Sequence, residues 1–208
     1  MPKGRFKKYI IKIGVVIMNI ANKLTLLRII LVFVFIGVIW IPFGLSTSVV
    51  LWISLAIFII ASITDFLDGH LARKYNLITD LGKFMDPLAD KMLTNTALVA
   101  IVDYGLRGIL PIGITFPAWI LVFILIREFT VSGIRLMAAS QNKVVAANYW
   151  GKVKTVVQMI TIIVYLLPIA NVPILQTVAL ILAYASLVLT LVSGGIYLYQ
   201  NKDVFNTK

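Results

Sequence analysis

The chain of 208 residues has no cysteine, a single histidine and only eight acidic side chains. Without cysteine there is no disulfide framework and no thiolate to act as nucleophile or metal ligand. Charge of either sign is scarce, at 13% of residues, and positions 29–64, 108–126 and 155–201 hold none at all. A bilayer is crossed by about 20 apolar residues, so each uncharged stretch has room for one or two spans. What is abundant is apolar surface: 61% of residues are hydrophobic, against about 45–50% in a soluble domain. The composition describes one membrane domain rather than a soluble domain on an anchor.

The formal charge of +11 would suggest nucleic acid in a soluble protein. Here the basic residues are dispersed among apolar runs, and no basic platform interleaved with aromatics is present, which excludes that class. The basic start leads into the apolar run 10–20, but no small-residue cleavage site follows, so it does not read as a secretory signal. Residues 1–18 instead interleave Lys3, Arg5, Lys7, Lys8 and Lys12 with Phe6, Tyr9, Ile10, Ile11 and Ile13. This pattern predicts an amphipathic juxtamembrane helix lying on an anionic lipid surface, with a disordered basic tail as the plainer reading. Residues 19–208 form the membrane domain.

Hydropathy predicts an all-α integral membrane fold with six transmembrane helices, over about 23–42, 48–72, 81–103, 115–140, 146–167 and 174–200. Pro42 and Gly44, the Gly/Pro-rich 105–113, Pro168 and Pro173 punctuate them. Six spans put both termini on one side. Of the 19 Lys and Arg, only Arg107 falls opposite the termini, so the positive-inside rule makes both termini cytoplasmic. Every charged cluster then lies at the cytoplasmic face.

Four of the eight acidic residues form one pattern: Asp65-x-x-Asp68-Gly69-x-x-Ala72-Arg73, eight residues, then Gly82-x-x-x-Asp86-x-x-x-Asp90. Spacings of three and four place each pair on one helix face. Pro87 suits the first turns of the second helix, where a missing N–H costs nothing. A short connection over 74–80 would make the two helices antiparallel neighbours, with four carboxylates converging. Such a convergence is costly without cations, and hard divalent ions take oxygen ligands and can clamp a phosphoryl group in pairs. A solvated helix end paired with Arg73, Lys74, Lys83 and Lys91 is the bland reading; it accounts for one ion pair better than for four carboxylates with small residues between them. His70 occupies a spacer position and is left out.

The run DFLDGHLARKYNLITDLGKFMDPLAD resembles the CDP-alcohol phosphotransferase signature at all eight fixed positions. The resemblance implies that Asp65, Asp68, Asp86 and Asp90 hold two divalent metals per site, Mg²⁺ or Mn²⁺. It makes Asp90 also the base for the acceptor hydroxyl, and Gly69, Ala72, Arg73, Thr79 and Gly82 part of the CDP-lipid site. The segment from Asn22 through Thr25 to Arg28 is similar to that family's N-x-x-T-x-x-R, which adds Asn22 and Thr25 to the nucleotide side. Both residues also suit a helix start.

A second, basic constellation bears on the acceptor. Arg127 and Arg135 are eight apart on one helical face, and Lys152 and Lys154 follow Gly151. Arginine binds phosphate oxygens bidentately and lysine adds a point charge, so the pattern predicts a phosphorylated acceptor held by Arg127, Arg135 and Lys152. Ordinary cytoplasmic charge, with Glu128 paired to an arginine, is the alternative. The runs REFTVSGIRLMAA and GKVKTVVQM are similar to the branch of the family that joins CDP-diacylglycerol to glycerol 3-phosphate. That resemblance implies a multi-pass enzyme of the bacterial cytoplasmic membrane, a homodimer, with its site facing the cytoplasm. A relative with another acceptor (inositol phosphate or phosphatidylglycerol) is the runner-up, and a divalent-cation transporter is the rival from a different class.

Overall fold

The computed structural model describes residues 20–41, 43–74, 80–141 and 148–204; within these, the side chains at 20–24, 66–74, 80–88, 90 and 139–140 lie outside the described set. The described residues form six α-helices and no strand: α1 (Ile20–Trp40), α2 (Thr47–Lys74), α3 (Asp80–Leu106), α4 (Ala118–Ser140), α5 (Tyr149–Leu166) and α6 (Pro173–Gln200), with a short 3-10 turn at Lys202–Val204. The expected amphipathic segment 1–18 and the connection carrying Thr79 fall outside the described residues.

Each expected helical stretch has its counterpart, with ends displaced by a few residues. α4 starts after Pro117 rather than at 115, and α5 starts at Tyr149 because Asn148 caps it, its Oδ1 accepting from the Gly151 N–H at 2.8 Å. α6 begins with Pro173 in its first turn, where the lost N–H has no partner to miss. One expectation is corrected: α3 begins at Asp80, which puts Pro87 in its early turns but beyond the first four residues, so the missing N–H removes one backbone hydrogen bond instead of costing nothing.

Among the described residues, two stretches are long and apolar enough to cross a membrane by length and composition, Thr47–Asp65 of α2 and Pro173–Gln200 of α6. The apolar part of α1, Thr25–Trp40, is shorter. α3, α4 and α5 carry charges within their length, which dilutes their hydropathy.

Two compact units divide the chain, one of residues up to Gly44 with Ile53–Thr96, the other of Leu45–Trp52 with Ala97 onward. In the first, α1 buries Thr25, Arg28, Val32, Phe35 and Ile39, an alternation of three and four that makes a single stripe, while Leu26, Ile30 and Phe33 face outward. In the second, α6 packs on α5 and on α4. Its inward stripe is mostly small: Ala179, Ala183, Ser186, Thr190, Ser193 and Gly194 are all buried. Small side chains let helix backbones approach, and their hydroxyls then bond across the seam. Thr161 Oγ1 of α5 and Ser186 Oγ of α6 lie 3.0 Å apart, both buried. Outward from the same helices point Ile181, Val188, Leu191, Val122 and Phe129. Small and hydroxyl-bearing side chains along this seam, with large apolar ones facing outward, depart from the soluble pattern.

At one end of this second unit the 107–117 turn meets the α5–α6 connection. Gln176 Nε2 donates to the Ile112 carbonyl at 2.9 Å, and the Asn171 N–H donates to the Pro111 carbonyl at 3.2 Å. Gly113 makes this fit possible: it has φ +74°, and a Cβ there would come within 2.6 Å of Asn171 Oδ1.

Candidate active site

The aspartate pattern rides on two uninterrupted helices. Asp65, Asp68, Gly69, Ala72 and Arg73 belong to the last turns of α2, and Gly82, Asp86 and Asp90 to the first three turns of α3. No break intervenes within either group, so the spacings of three and four are true helical spacings. Of the four carboxylates, only that of Asp65 is among the described side chains; Asp68, Asp86 and Asp90 lie outside that set, as do the side chains of Asn22, Ala72 and Arg73 and the whole of Thr79. Among the described residues no three His, Asp or Glu side chains come together.

Asp65 is partly open, and its Oδ1 is 2.7 Å from Nη1 of Arg28. Arg28 itself is fully buried on α1, one turn beyond the equally buried Thr25. A guanidinium in an apolar interior persists only with a counter-charge, because its desolvation costs several kcal/mol, on the order of what a paired carboxylate returns. The pair therefore links the buried stripe of α1 to the first aspartate of the pattern. Spacing and resemblance give roles to Asn22 and Thr25 but none to Arg28 beside them. The available signal was its position: it is the last charge before the uncharged run 29–64, already within α1.

The basic constellation sits where α4, α5 and α6 meet. Arg127 and Glu128 lie in the middle of α4. Glu128 Oε1 accepts from Arg127 Nη1 at 3.2 Å and also from Nζ of Lys154 on α5. Nη2 of Arg127 donates to Ser193 Oγ of α6 at 3.1 Å. The stem of Arg127 lies across Gly194, where a Cβ would come within 3.0 Å of its Cγ. Two turns further along α4, Arg135 donates from Nε to the Tyr197 hydroxyl at 3.3 Å and lies over the Tyr197 ring at 5.8 Å. Ser193 and Tyr197 are one turn apart on α6, so Arg127 and Arg135 share one seam, as the spacing of eight implies.

The two lysines of α5 part company. Lys154 is buried at 3% exposure, inside the cluster, whereas Lys152 is exposed. Two residues along a helix is a rotation of about 200°, so only one of them can face α4. Burial of Lys154 was not legible from spacing alone, since the phase of α5 is set by what it packs against.

The donor chemistry of the aspartate pattern suits a hard divalent cation: the fixed positions offer carboxylate oxygens, while His70 and Met85 stand only at spacer positions. The sequence matches the CDP-alcohol phosphatidyltransferase family over residues 18–192. It is 39% identical over 201 residues to the CDP-diacylglycerol–glycerol-3-phosphate 3-phosphatidyltransferase of Bacillus subtilis, covering 91% of this chain and 98% of that one. A probable phosphatidylglycerophosphate synthase of Mycobacterium tuberculosis is 39% identical over 183 residues, 87% of this chain and 80% of its own. A further CDP-diacylglycerol–glycerol-3-phosphate 3-phosphatidyltransferase, from Rickettsia felis, is 33% identical over 189 residues, 90% of this chain and 97% of its own. With the eight-residue pattern on two continuous helices and relatives matched along most of their length, this chain belongs to the CDP-alcohol phosphatidyltransferase family.

Proposed function

We propose that the protein is a phosphatidylglycerophosphate synthase, which transfers the phosphatidyl group of CDP-diacylglycerol to glycerol 3-phosphate and releases CMP. The observation that carries the reading is the full aspartate pattern, its first member held by a buried arginine, in a chain whose relatives bear that activity in their names.

Asp65, Asp68, Asp86 and Asp90 form the metal-binding set, for two Mg²⁺ or Mn²⁺ ions. Bound there, such ions would neutralise charge on the pyrophosphate and on the departing CMP. Arg28 fixes one carboxylate oxygen of Asp65, which restricts the side chain's rotamers before any ligand arrives. Asn22, Thr25, Gly69, Ala72, Arg73, Thr79 and Gly82 line the CDP-lipid side, the small residues leaving room for the nucleotide. Asp90 takes the proton of a glycerol 3-phosphate hydroxyl. The freed oxygen attacks the phosphorus bearing diacylglycerol, and the bond from that phosphorus to the CMP oxygen breaks. Arg127 and Arg135 hold the acceptor's own phosphate, with the buried Lys154 rather than the exposed Lys152 completing the cluster. Positioning and fixed charge supply the catalysis.

The six helices are transmembrane in this reading, with both termini and the charged clusters at the cytoplasmic face of a bacterial membrane, and the enzyme is a homodimer. Apolar side chains facing outward and hydroxyls, amides and ion pairs facing inward support the lipid environment.

The test is CMP release from CDP-diacylglycerol by the purified chain, with and without glycerol 3-phosphate. Release that depends on glycerol 3-phosphate and stops with EDTA is expected, together with phosphatidylglycerophosphate as the lipid product. Faster release with inositol phosphate or phosphatidylglycerol would reassign the acceptor. Absence of CMP under every condition would end the enzymatic reading and favour a divalent-cation transporter.

A further inference from the structure

The cluster around Glu128 is more than a single ion pair. One carboxylate oxygen, Glu128 Oε1, receives both Arg127 Nη1 and Lys154 Nζ. Among the described residues two cations thus share one carboxylate, in a place where Lys154 and Glu128 are both buried. Buried charge is expensive, and interior packing alone would be served as well by apolar side chains of the same shape. Nε of Arg127 and Nδ2 of Asn148 are both buried with no acceptor among the described residues. Asn148 caps α5, whose N-terminal N–H groups add a further positive end, and a Cβ at Gly151 would lie 3.5 Å from Arg127 Nη2 and 3.8 Å from Asn148 Oδ1. Buried donors and the helix dipole suit an anion, and among the described residues Glu128 is the one carboxylate seen to meet these cations.

Glu128 looks at first like the wrong residue for such a place, since a carboxylate repels phosphate. Its geometry gives it another task. Arg127 and Lys154 come from different helices and repel each other; each carries a long, flexible stem. By accepting from both on a single oxygen, Glu128 keeps the two cations together and inside. Ser193 and Gly194 complete the fix on Arg127, one by accepting from Nη2 and the other by leaving room for its stem. We propose that Glu128 is a positioning residue for the acceptor: it holds Arg127 and Lys154 as a preassembled pair of cations that receives the phosphate of glycerol 3-phosphate. This rests on the reading of glycerol 3-phosphate as the acceptor.

Simple electrostatics and positioning predict opposite signs, which makes the idea testable. If Glu128 only opposed the phosphate, Glu128→Gln would lower KM for glycerol 3-phosphate. If it positions the cations, Glu128→Gln raises that KM by about tenfold or more, because two like charges lose the oxygen that joins them. KM for CDP-diacylglycerol should change by less than about twofold, since that substrate's contacts are untouched. The measurement is steady-state CMP release by the full chain in detergent, with each substrate varied in turn. An unchanged or lowered KM for glycerol 3-phosphate overturns the proposal.

Glu128→Gln leaves buried charge uncompensated and could unfold the chain, so a double variant, Glu128→Gln with Lys154→Met, runs alongside it. It removes one charge of each sign, and such replacements are often neutral for folding. Its thermal midpoint should stay near that of the parent while its KM for glycerol 3-phosphate stays raised by about tenfold, because one phosphate-binding cation is gone. A parental KM in the double variant would show that Glu128 and Lys154 merely neutralise each other, and overturns the proposal. Failure of the underlying reading has a different signature: CMP release by the parent enzyme that glycerol 3-phosphate does not stimulate. With a stimulated parent and an unchanged variant, only the role of Glu128 falls.

Discussion

The second compact unit contains two arginine–carboxylate contacts that look alike on paper and differ in surroundings. Arg107 meets Asp103 one turn earlier with two contacts, Nη2 to Oδ2 at 2.9 Å and Nε to Oδ1 at 3.0 Å, and its side chain is 56% exposed. Arg127 meets Glu128 by one longer contact, 3.2 Å, with its side chain 14% exposed and Lys154 on the same oxygen. Geometry alone would rank the first above the second. Screening by solvent reverses the order: exposed pairs contribute about 0–1 kcal/mol, while breaking a buried one costs about 3–5 kcal/mol, largely from the charge left behind. Position in the fold, rather than the quality of the contact, decides what a charge is worth here.

Substituting charges in turn should therefore sort them by surroundings and task. The largest effect is expected from Asp90→Asn. Loss of a general base should lower turnover by about 100-fold to 10,000-fold in the CMP assay while CDP-diacylglycerol still binds. Full turnover would remove Asp90 from that role. Next comes Arg28→Met, which removes a buried guanidinium from Asp65. A stability loss of about 2 kcal/mol is expected, below the figure for a fully buried pair because Asp65 stays partly open, and activity should fall by about tenfold. Thermal unfolding and the CMP assay check the two parts; Arg28→Lys should recover part of each. Gly194→Ala is a milder probe. The new Cβ crowds the Arg127 stem, so KM for glycerol 3-phosphate should rise by about threefold, with stability lowered by about 1 kcal/mol. The smallest effect belongs to Arg107→Gln, within about 0.5 kcal/mol and without change in either KM. A larger loss there would break the contrast between the two pairs.

The same contrast explains how much could be read before the fold was known. Asp65, Asp68, Asp86 and Asp90 stand out because helical spacing is local: three and four residues along an unbroken helix share a face whatever surrounds them. The six helical stretches are legible for a similar reason, since apolar runs between Pro42, Pro168 and Pro173 record backbone limits that no packing removes. Helix ends were less legible. Pro117 and Asn148 set the starts of α4 and α5 by local chemistry that hydropathy does not register. Pro87 does lie in the early turns of α3, but past the first four residues, so its missing N–H is not one of those that lack a helical partner.

Composition and spacing by themselves determined that the chain is helical, rich in apolar surface, and equipped with carboxylates and cations at a few helix ends. They could not determine which charge would face which. Arg28 and Asp65 are far apart in sequence, as are Arg127 and Ser193, so their meeting depends on which faces of separate helices pack together. Lys152 and Lys154 make the point most simply: the same side chain, two residues apart, one exposed and one buried. The rotation between them follows from the helix; which of them turns inward was decided only when the small residues of α6 and the middle of α4 closed on α5, because burial of a lysine is tolerated only where a carboxylate is already waiting.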